Sequence, residues 1–402
     1  MDHRILIVGG GIAGVETALT MAIGMPDAQV TIASREPDFE IVPNLVFVPF
    51  GVQPDDVRIS LNELERFGIQ VIQCNVASID MEARTAQLND GRVLEADTIV
   101  VSVGTTAPRT DGHQLRTTED ALALRRRLSA LEYTWIEGAI VVRVSEPRTW
   151  TPPAYEFALL LDSWLRSVAQ RETIDVRVHT WEPRCCIPLH PDTGEFVMQQ
   201  LRDRDIEVTF GVSPDDPGGD DVDVYVDYGG IRAIELPGLP PLQDDGFYDV
   251  DENGAITDGI YVVGDAARAT LKAAFATSWQ ARRVLEHIGG DVSLIGAEVD
   301  GVPVDQFEYH MDLGFDTLVL RNRADHIPDG MGHNAFPEIK VMHDATDKLV
   351  GTLVRQHLLT QSSAHDSPAR LLRRNRTLRA EAQIVETVSK RDATRSRPPW
   401  QR

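Results

Sequence analysis

The run Gly9-Gly10-Gly11-Ile12-Ala13-Gly14 restricts this chain more than any other stretch. An apolar segment, Arg4-Ile5-Leu6-Ile7-Val8, precedes it, and Val15 to Met21 follows as a good helix sequence. A second β-like run, Val30-Thr31-Ile32-Ala33, closes the unit. Strand, glycine turn, helix and strand in that order, with G-x-G-x-x-G at the turn, make up a dinucleotide-binding unit. The glycines serve a tight turn, close backbone approach to a pyrophosphate, and close packing of helix on strand. The helix start then points free N–H groups and its positive dipole end at the phosphates. The alternative is a glycine-rich turn in an α/β core that holds no ligand.

A chain of 402 residues is too long for one ordinary domain, so two or three are expected. Hydrophobic residues at 42% and charged residues at 25% fit a soluble globular protein. No run of about 18 apolar residues occurs, so no membrane-spanning helix is expected. The chain enters a strand almost at once, with no signal-like apolar leader, and the expectation is a cytoplasmic protein. A net charge of −23 argues against nucleic acid as a partner. The charge is uneven. From His365 to Arg402 there are ten Lys/Arg and four Asp/Glu, a tail of +6, which leaves −29 for the rest. Such a tail suits an acidic surface: the protein body, a partner, or the inner face of the cell membrane. The three cysteines, Cys74, Cys185 and Cys186, form no C-x-x-C and no zinc spacing, so no metal site is expected. The adjacent Cys185 and Cys186 read as reduced thiols, with a strained disulfide as the alternative.

Further along, Thr98 to Thr105 reads as a buried strand ending at Gly104, where backbone can approach a ligand. Val76 to Leu94 reads as a small meander with a hairpin turn at Asn89-Asp90-Gly91. Residues 117–133 read as a helix with Thr118 as N-cap. A second βα pattern starts at Ala139, with a helix from Ala154 to Ser167 and a strand at Asp175 to Trp181. Its first turn, Arg143 to Pro147, has no glycine. Tyr261-Val262-Val263-Gly264-Asp265 is a further buried strand, placing the Asp265 carboxylate to accept hydrogen bonds from a sugar-like chain or to cap the next helix, expected to begin near Lys272. The fold class is α/β: two Rossmann-like dinucleotide-binding domains and a C-terminal helical tail. The expected boundaries are 1–110 with 246–305, 111–245, and 306–402.

With Gly9 to Gly14, Val76, Val101 to Thr105, and Tyr261 to Asp265 in this order, the chain resembles the two-dinucleotide-binding-domain flavoproteins. Phe39 to Leu45, Pro153 to Leu161 and Asp244 to Tyr248 narrow the resemblance to sulfide:quinone oxidoreductases and type II NADH dehydrogenases. The resemblance implies FAD. Gly9, Gly11, Ile12, Ala13 and Gly14 would then face the pyrophosphate, and Ser34 with Arg35 the adenosine ribose. Val76 would meet adenine, Pro43 the isoalloxazine, and Gly104, Thr105, Gly264 and Asp265 the rest of the cofactor. Lys272, at a helix start, would stabilise negative charge on reduced flavin.

The chain departs from the family in three ways. Ser34 stands where an acid is expected at the end of the second strand, with Glu36 as a substitute. The redox cysteines expected near Trp150-Thr151 and near Tyr309-His310 are absent, which counts against sulfide oxidation by that route. The second glycine turn is also absent, leaving Glu182 as a lone acid for a nucleotide ribose. The expected function is therefore an FAD-dependent oxidoreductase passing electrons from an unidentified small-molecule donor to a quinone. Trp150, Tyr155, Glu156, Tyr309 and His310 would shape the donor pocket, with Glu156 and His310 handling protons. The alternatives are an NAD(P)H dehydrogenase and a subunit of a larger redox complex. Apolar residues at helical spacing between 344 and 402 suit a peripheral membrane contact, core packing or a homodimer interface.

Overall fold

The computed structural model describes residues 3–295 except 109, 135–136, 145–149, 190, 214–221, 269–271 and 274–275. Beyond these it describes only the strand segments 298–299, 302–303, 306–312, 317–323 and 337–340. The helices are α1 (Ile12–Gly24), α2 (Thr118–Thr134), α3 (Pro152–Ser167), α4 (Pro191–Arg202) and α5 (Ala276–His287).

Two parallel sheets organise the chain. In the first, the strands run in the order 70–73, 29–34, 4–8, 98–101, 260–262, all parallel, with 255–257 added antiparallel at the edge. Ile5, Ile7, Ile32 and Val100 are fully or almost fully buried, as β-branched runs covered on both faces require. Parallel neighbours need a crossover, and α1 supplies it between 4–8 and 29–34. In the second sheet, 113–114, 224–228, 138–144, 174–180 and 207–210 are likewise all parallel. Here α3 packs Phe157, Leu159 and Leu161 into a core with Ile140, Val142, Val176 and Val178. The meander pairs 76–80 with 85–88 and 85–88 with 93–95, as expected.

Four local features differ from the expectations. The N-cap of α2 is Thr117, not Thr118: its hydroxyl accepts from the Asp120 N–H at 3.1 Å, and the Asp120 carboxylate accepts from the Thr117 N–H at 3.0 Å. α5 starts at Ala276, four residues after Lys272. Residues 36–58, whose four prolines suggest a loop, instead form a two-stranded pair with the residues that follow, 38–40 with 58–60, and a 3-10 segment at Val42–Phe50. Segments 306–312, 317–323 and 337–340 form an antiparallel sheet, so this part of the C-terminal region is β. The helices expected between 344 and 402 lie outside the described residues. The cysteines are free, as expected, with Cys185 Sγ and Cys186 Sγ 3.7 Å apart in the core.

Candidate functional site

The central strands 4–8, 98–101 and 260–262 lie side by side, and three loops leave their C-terminal ends. These are Gly9–Gly14, Ser102–Thr105 and Gly264–Asp265. The carboxyl edge of a parallel sheet is where such folds bind ligands. Side-chain and backbone contacts fix the loops to one another. Ser102 Oγ donates to Val8 O and Gly9 O, each at 3.0 Å. Gly9 has φ +113, and a Cβ there would lie 2.4 Å from Ser102 O. At Gly14 a Cβ would lie 1.9 Å from Gly9 O, so only glycine lets α1 start this close to the strand. At Gly11, by contrast, a Cβ would meet nothing within 4 Å. That open space adjoins the first turn of α1, whose N-cap is Gly11 and has no side-chain cap. An uncapped helix start over an open cradle fits a phosphate group. Ile12 is half-buried in that first turn. Ala13 fills the space above Gly264, where a Cβ would come within 2.5 Å of its own.

Asp265 is half-buried, yet burial raises its carboxyl above the usual carboxylate range. Two cations oppose the rise, Lys272 and Arg116. Arg116 Nη2 donates to Thr105 O at 3.0 Å and to Thr105 Oγ1 at 2.9 Å. It therefore ties the loop after 98–101 to the carboxylate after 260–262. The sequence reading missed Arg116, which carries no motif and is separated from Asp265 by four of the second sheet's five strands.

Lys272 departs from its expected place. It is buried and outside α5, and its Nζ donates to Asp265 O at 2.8 Å and to Ala267 O. It also lies 3.8 Å over the Phe247 ring. The ammonium thus shapes the Asp265 loop from beneath. Ser34 Oγ donates to Glu36 O at 3.0 Å and abuts Gly10, so the glycine loop rests on it. Arg35 and Glu36 form an exposed ion pair at 2.8 Å. Pro43 is half-buried in the 3-10 segment, Val76 is buried, and Gly104 has φ +71 with open space at its Cβ.

The second sheet carries a different chemistry at the corresponding edge. Arg143 is bound by Asp227 at 2.7 Å and Asp111 at 2.7 Å. Glu182 is fully buried and accepts from Thr151 Oγ1 at 2.9 Å, Ile187 N at 2.7 Å, Thr180 Oγ1 at 3.3 Å and the Tyr155 hydroxyl. Its acceptor sites are turned to the protein's own donors. Tyr155 is fully buried too, so it does not line a pocket as expected. Glu156 is buried on α3, and its charge raises the Tyr228 phenol further after burial has done so. His310 and Tyr309 sit on the strand Gln306–Asp312, paired with Val319 and Leu320; their side chains lie outside the described residues. No group of His, Cys, Asp and Glu among the described residues could hold a metal ion.

Residues 1–129 match the family model described as pyridine nucleotide-disulphide oxidoreductase. A curated relative, the sulfide-quinone reductase of Aquifex aeolicus, is 28% identical over 191 residues, 46% of this chain and 44% of that protein. The aligned stretch thus spans less than half of that relative. The crystal structure of the sulfide:quinone oxidoreductase from Aquifex aeolicus superposes with TM-score 0.73 at 20% identity, covering 84% of this chain and 87% of that one. A ferredoxin reductase from Rhodopseudomonas palustris superposes with TM-score 0.60 at 20% identity, covering 80% and 83%. The chain has the fold of the two-dinucleotide-binding-domain flavoproteins, whose cofactor is FAD. Within that fold its likenesses include a sulfide-quinone reductase in sequence and a sulfide:quinone oxidoreductase in structure.

Proposed function

We propose that this chain is an FAD-dependent oxidoreductase that takes electrons from a small-molecule donor other than NAD(P)H and passes them to a quinone. The observation that supports it most is the meeting of Gly9–Gly14, Gly104–Thr105 and Gly264–Asp265 at one sheet edge. FAD, when bound, supplies a two-electron acceptor and donor. Gly9, Gly11, Gly14 and the first turn of α1 would hold its pyrophosphate. Ser34 and Arg35 would meet the ribose, Val76 the adenine, Pro43 the ring system, and Asp265 with Arg116 the sugar-alcohol chain and phosphates. Residues 1–110 with 246–305 would form the FAD domain and 111–245 the second domain.

The donor is read from what the second sheet lacks. NAD(P)H recognition needs a phosphate cradle and a ribose-binding acid. Arg143 occupies the cradle's strand end in ion pairs, and Glu182 spends its lone pairs inside the core. Arg184, a cation that could meet a 2′-phosphate, donates instead to the carbonyls of Ile187 and Leu189, each at 3.0 Å. Sulfide oxidation through two cysteines beside the flavin is equally unsupported. Cys185 and Cys186 are buried in the second domain, and Cys74 donates to Asn89 at 2.9 Å. Glu156, buried near the start of α3, is the carboxyl assigned to a donor proton in this reading, with His310 as a second candidate. Lys272 acts by holding the Asp265 loop.

The test is anaerobic mixing of the purified protein with NADH, NADPH, sulfide and a quinol in turn, following the visible flavin spectrum. Bound flavin bleached by quinol, or by another small donor but not by NADH or NADPH, is the expected result. Bleaching by NADH would replace this reading with an NAD(P)H dehydrogenase. A protein that neither carries nor takes up flavin would be a subunit that keeps the fold for assembly.

A further inference from the structure

Glu182 follows the strand 174–180 by two residues, where a dinucleotide fold carries its ribose-binding acid. Its carboxylate offers about four acceptor sites. All four are taken. Oε1 accepts from Thr151 Oγ1 at 2.9 Å and Ile187 N at 2.7 Å. Oε2 accepts from the Tyr155 hydroxyl and from Thr180 Oγ1 at 3.3 Å. Burial raises the acid's pKa, and the four donors pull it back. The donors belong to separate elements. Thr180 ends a strand, and Ile187 lies in the turn after the buried Cys185-Cys186 pair. Thr151 is the N-cap of α3, and Tyr155 stands one turn into it.

The start of α3 depends on this contact. The Thr151 hydroxyl makes no cap bond to an α3 N–H. It points to Glu182 instead, so the helix start is anchored from outside rather than by its own cap. The residues on either side of that anchor are Trp150 and Glu156.

We propose that Glu182 is a positioning residue, an internal latch that fixes the first turn of α3 and with it Trp150 and Glu156 on the donor side. This rests on the reading that the donor approaches over the start of α3. The position that other dinucleotide folds use to choose a nucleotide would here set the shape of the donor wall.

The test uses the flavin-loaded full chain and compares Glu182→Ala, Glu182→Gln and Tyr155→Phe. The probe donor is sodium sulfide, used as a small two-electron reductant whatever its route to the flavin, and duroquinol, the reduced form of the proposed acceptor, is the control expected to keep its parent KM. A Trp150→Phe control in each background isolates the Trp150 emission, which needs no donor. In Glu182→Ala, flavin content should stay at the parent level while the probe's KM rises at least about tenfold, because a shifted wall misplaces the donor. The Trp150 emission should move to longer wavelength. Glu182→Gln keeps an acceptor oxygen for Ile187 and Thr151 and should restore KM to within about threefold of the parent. Should Glu182→Ala fail to fold, Tyr155→Phe, which removes one donor only, should show the same shifts in smaller measure. Parent-like KM and Trp150 emission in every folded variant would overturn the latch. A parent protein that no probe bleaches would overturn the donor reading instead, and the Trp150 emission would still decide the latch.

Discussion

Glycine at position 14 is required by a distance. A methyl group there would sit 1.9 Å from Gly9 O and 2.7 Å from Ser102 Oγ. Gly14→Ala should push α1 off the strand, cost about 1–3 kcal/mol in stability and lower flavin retention severalfold, read by denaturant titration and by the flavin-to-protein absorbance ratio. Glu16, two residues on, presents a different problem. It is buried on α1, its Oε2 has no partner, and burial pushes its carboxyl up to about 8. A folded-state pKa above the unfolded one means that the native state holds the extra proton. Stability is then greatest below the unfolded value of 4.5 and falls progressively as pH rises toward about 8. Glu16→Gln should remove much of this slope and raise the melting temperature most at pH 8 and above. A melting series from pH 5 to 9 that keeps the parent's slope would refute the assignment. Glycine loops were readable in the sequence because their meaning is local: a turn, a helix start and a close approach within six residues. Arg116 and the burial of Glu182 were not, because each is defined by partners brought in from other elements.

Helix ends show the same division between local and distant causes. For α2 the sequence held the right motif one residue away from where it was read. Thr117 and Asp120 bond reciprocally, while Thr118 N is taken by the Glu40 carboxylate at 3.3 Å. Thr117→Ala should therefore cost about 1 kcal/mol, and Thr118→Ala should not reproduce that loss of the cap; urea unfolding of the two variants checks the contrast. For α5 the sequence was misleading. Lys272 and Ala273 are good helix formers, but the ammonium is drawn to Asp265 O and Ala267 O, and the helix begins only at Ala276. Tertiary hydrogen bonds outweighed propensity there. Within α3, Asp162 is wholly buried and bound by Arg166 at 2.9 Å and Arg171 at 2.6 Å, with Arg204 at 3.8 Å. Asp162→Ala leaves these cations without their counter-charge and should destabilise the second sheet by about 3–5 kcal/mol. Flavin bound at the first sheet should survive the substitution at temperatures where the second unit has begun to open. The two transitions separate by following flavin absorbance and tryptophan emission in one melt.

At the scale of the molecule, the two parallel sheets were foreseeable because the strands 4–8, 138–144 and 174–180 are rich in β-branched residues and each is followed by a helix. Their unequal chemistry was foreseeable only in part. The missing glycine turn after Arg143 could be read directly, whereas the ion pairs of Arg143 itself could not. The same asymmetry appears in charge. Residues 365–402 carry +6 against −29 for the remainder. No described helix is long and apolar enough to cross a membrane. A polybasic segment gains about 1 kcal/mol per Lys or Arg near an anionic bilayer, and that gain falls away beyond a Debye length of about 10 Å at 0.1 M salt. The body's own negative charge opposes binding, so the tail must carry it. The full chain should co-sediment with phosphatidylserine vesicles at low salt, release as salt rises toward about 0.5 M, and ignore neutral vesicles. A chain ending at residue 343 should stay in the supernatant in all three conditions while keeping its flavin. Equal sedimentation of the two chains would remove the tail as a membrane contact. Its positive charge would then be satisfied by the acidic body, and that pairing would show as a drop in melting temperature on truncation, largest at low salt.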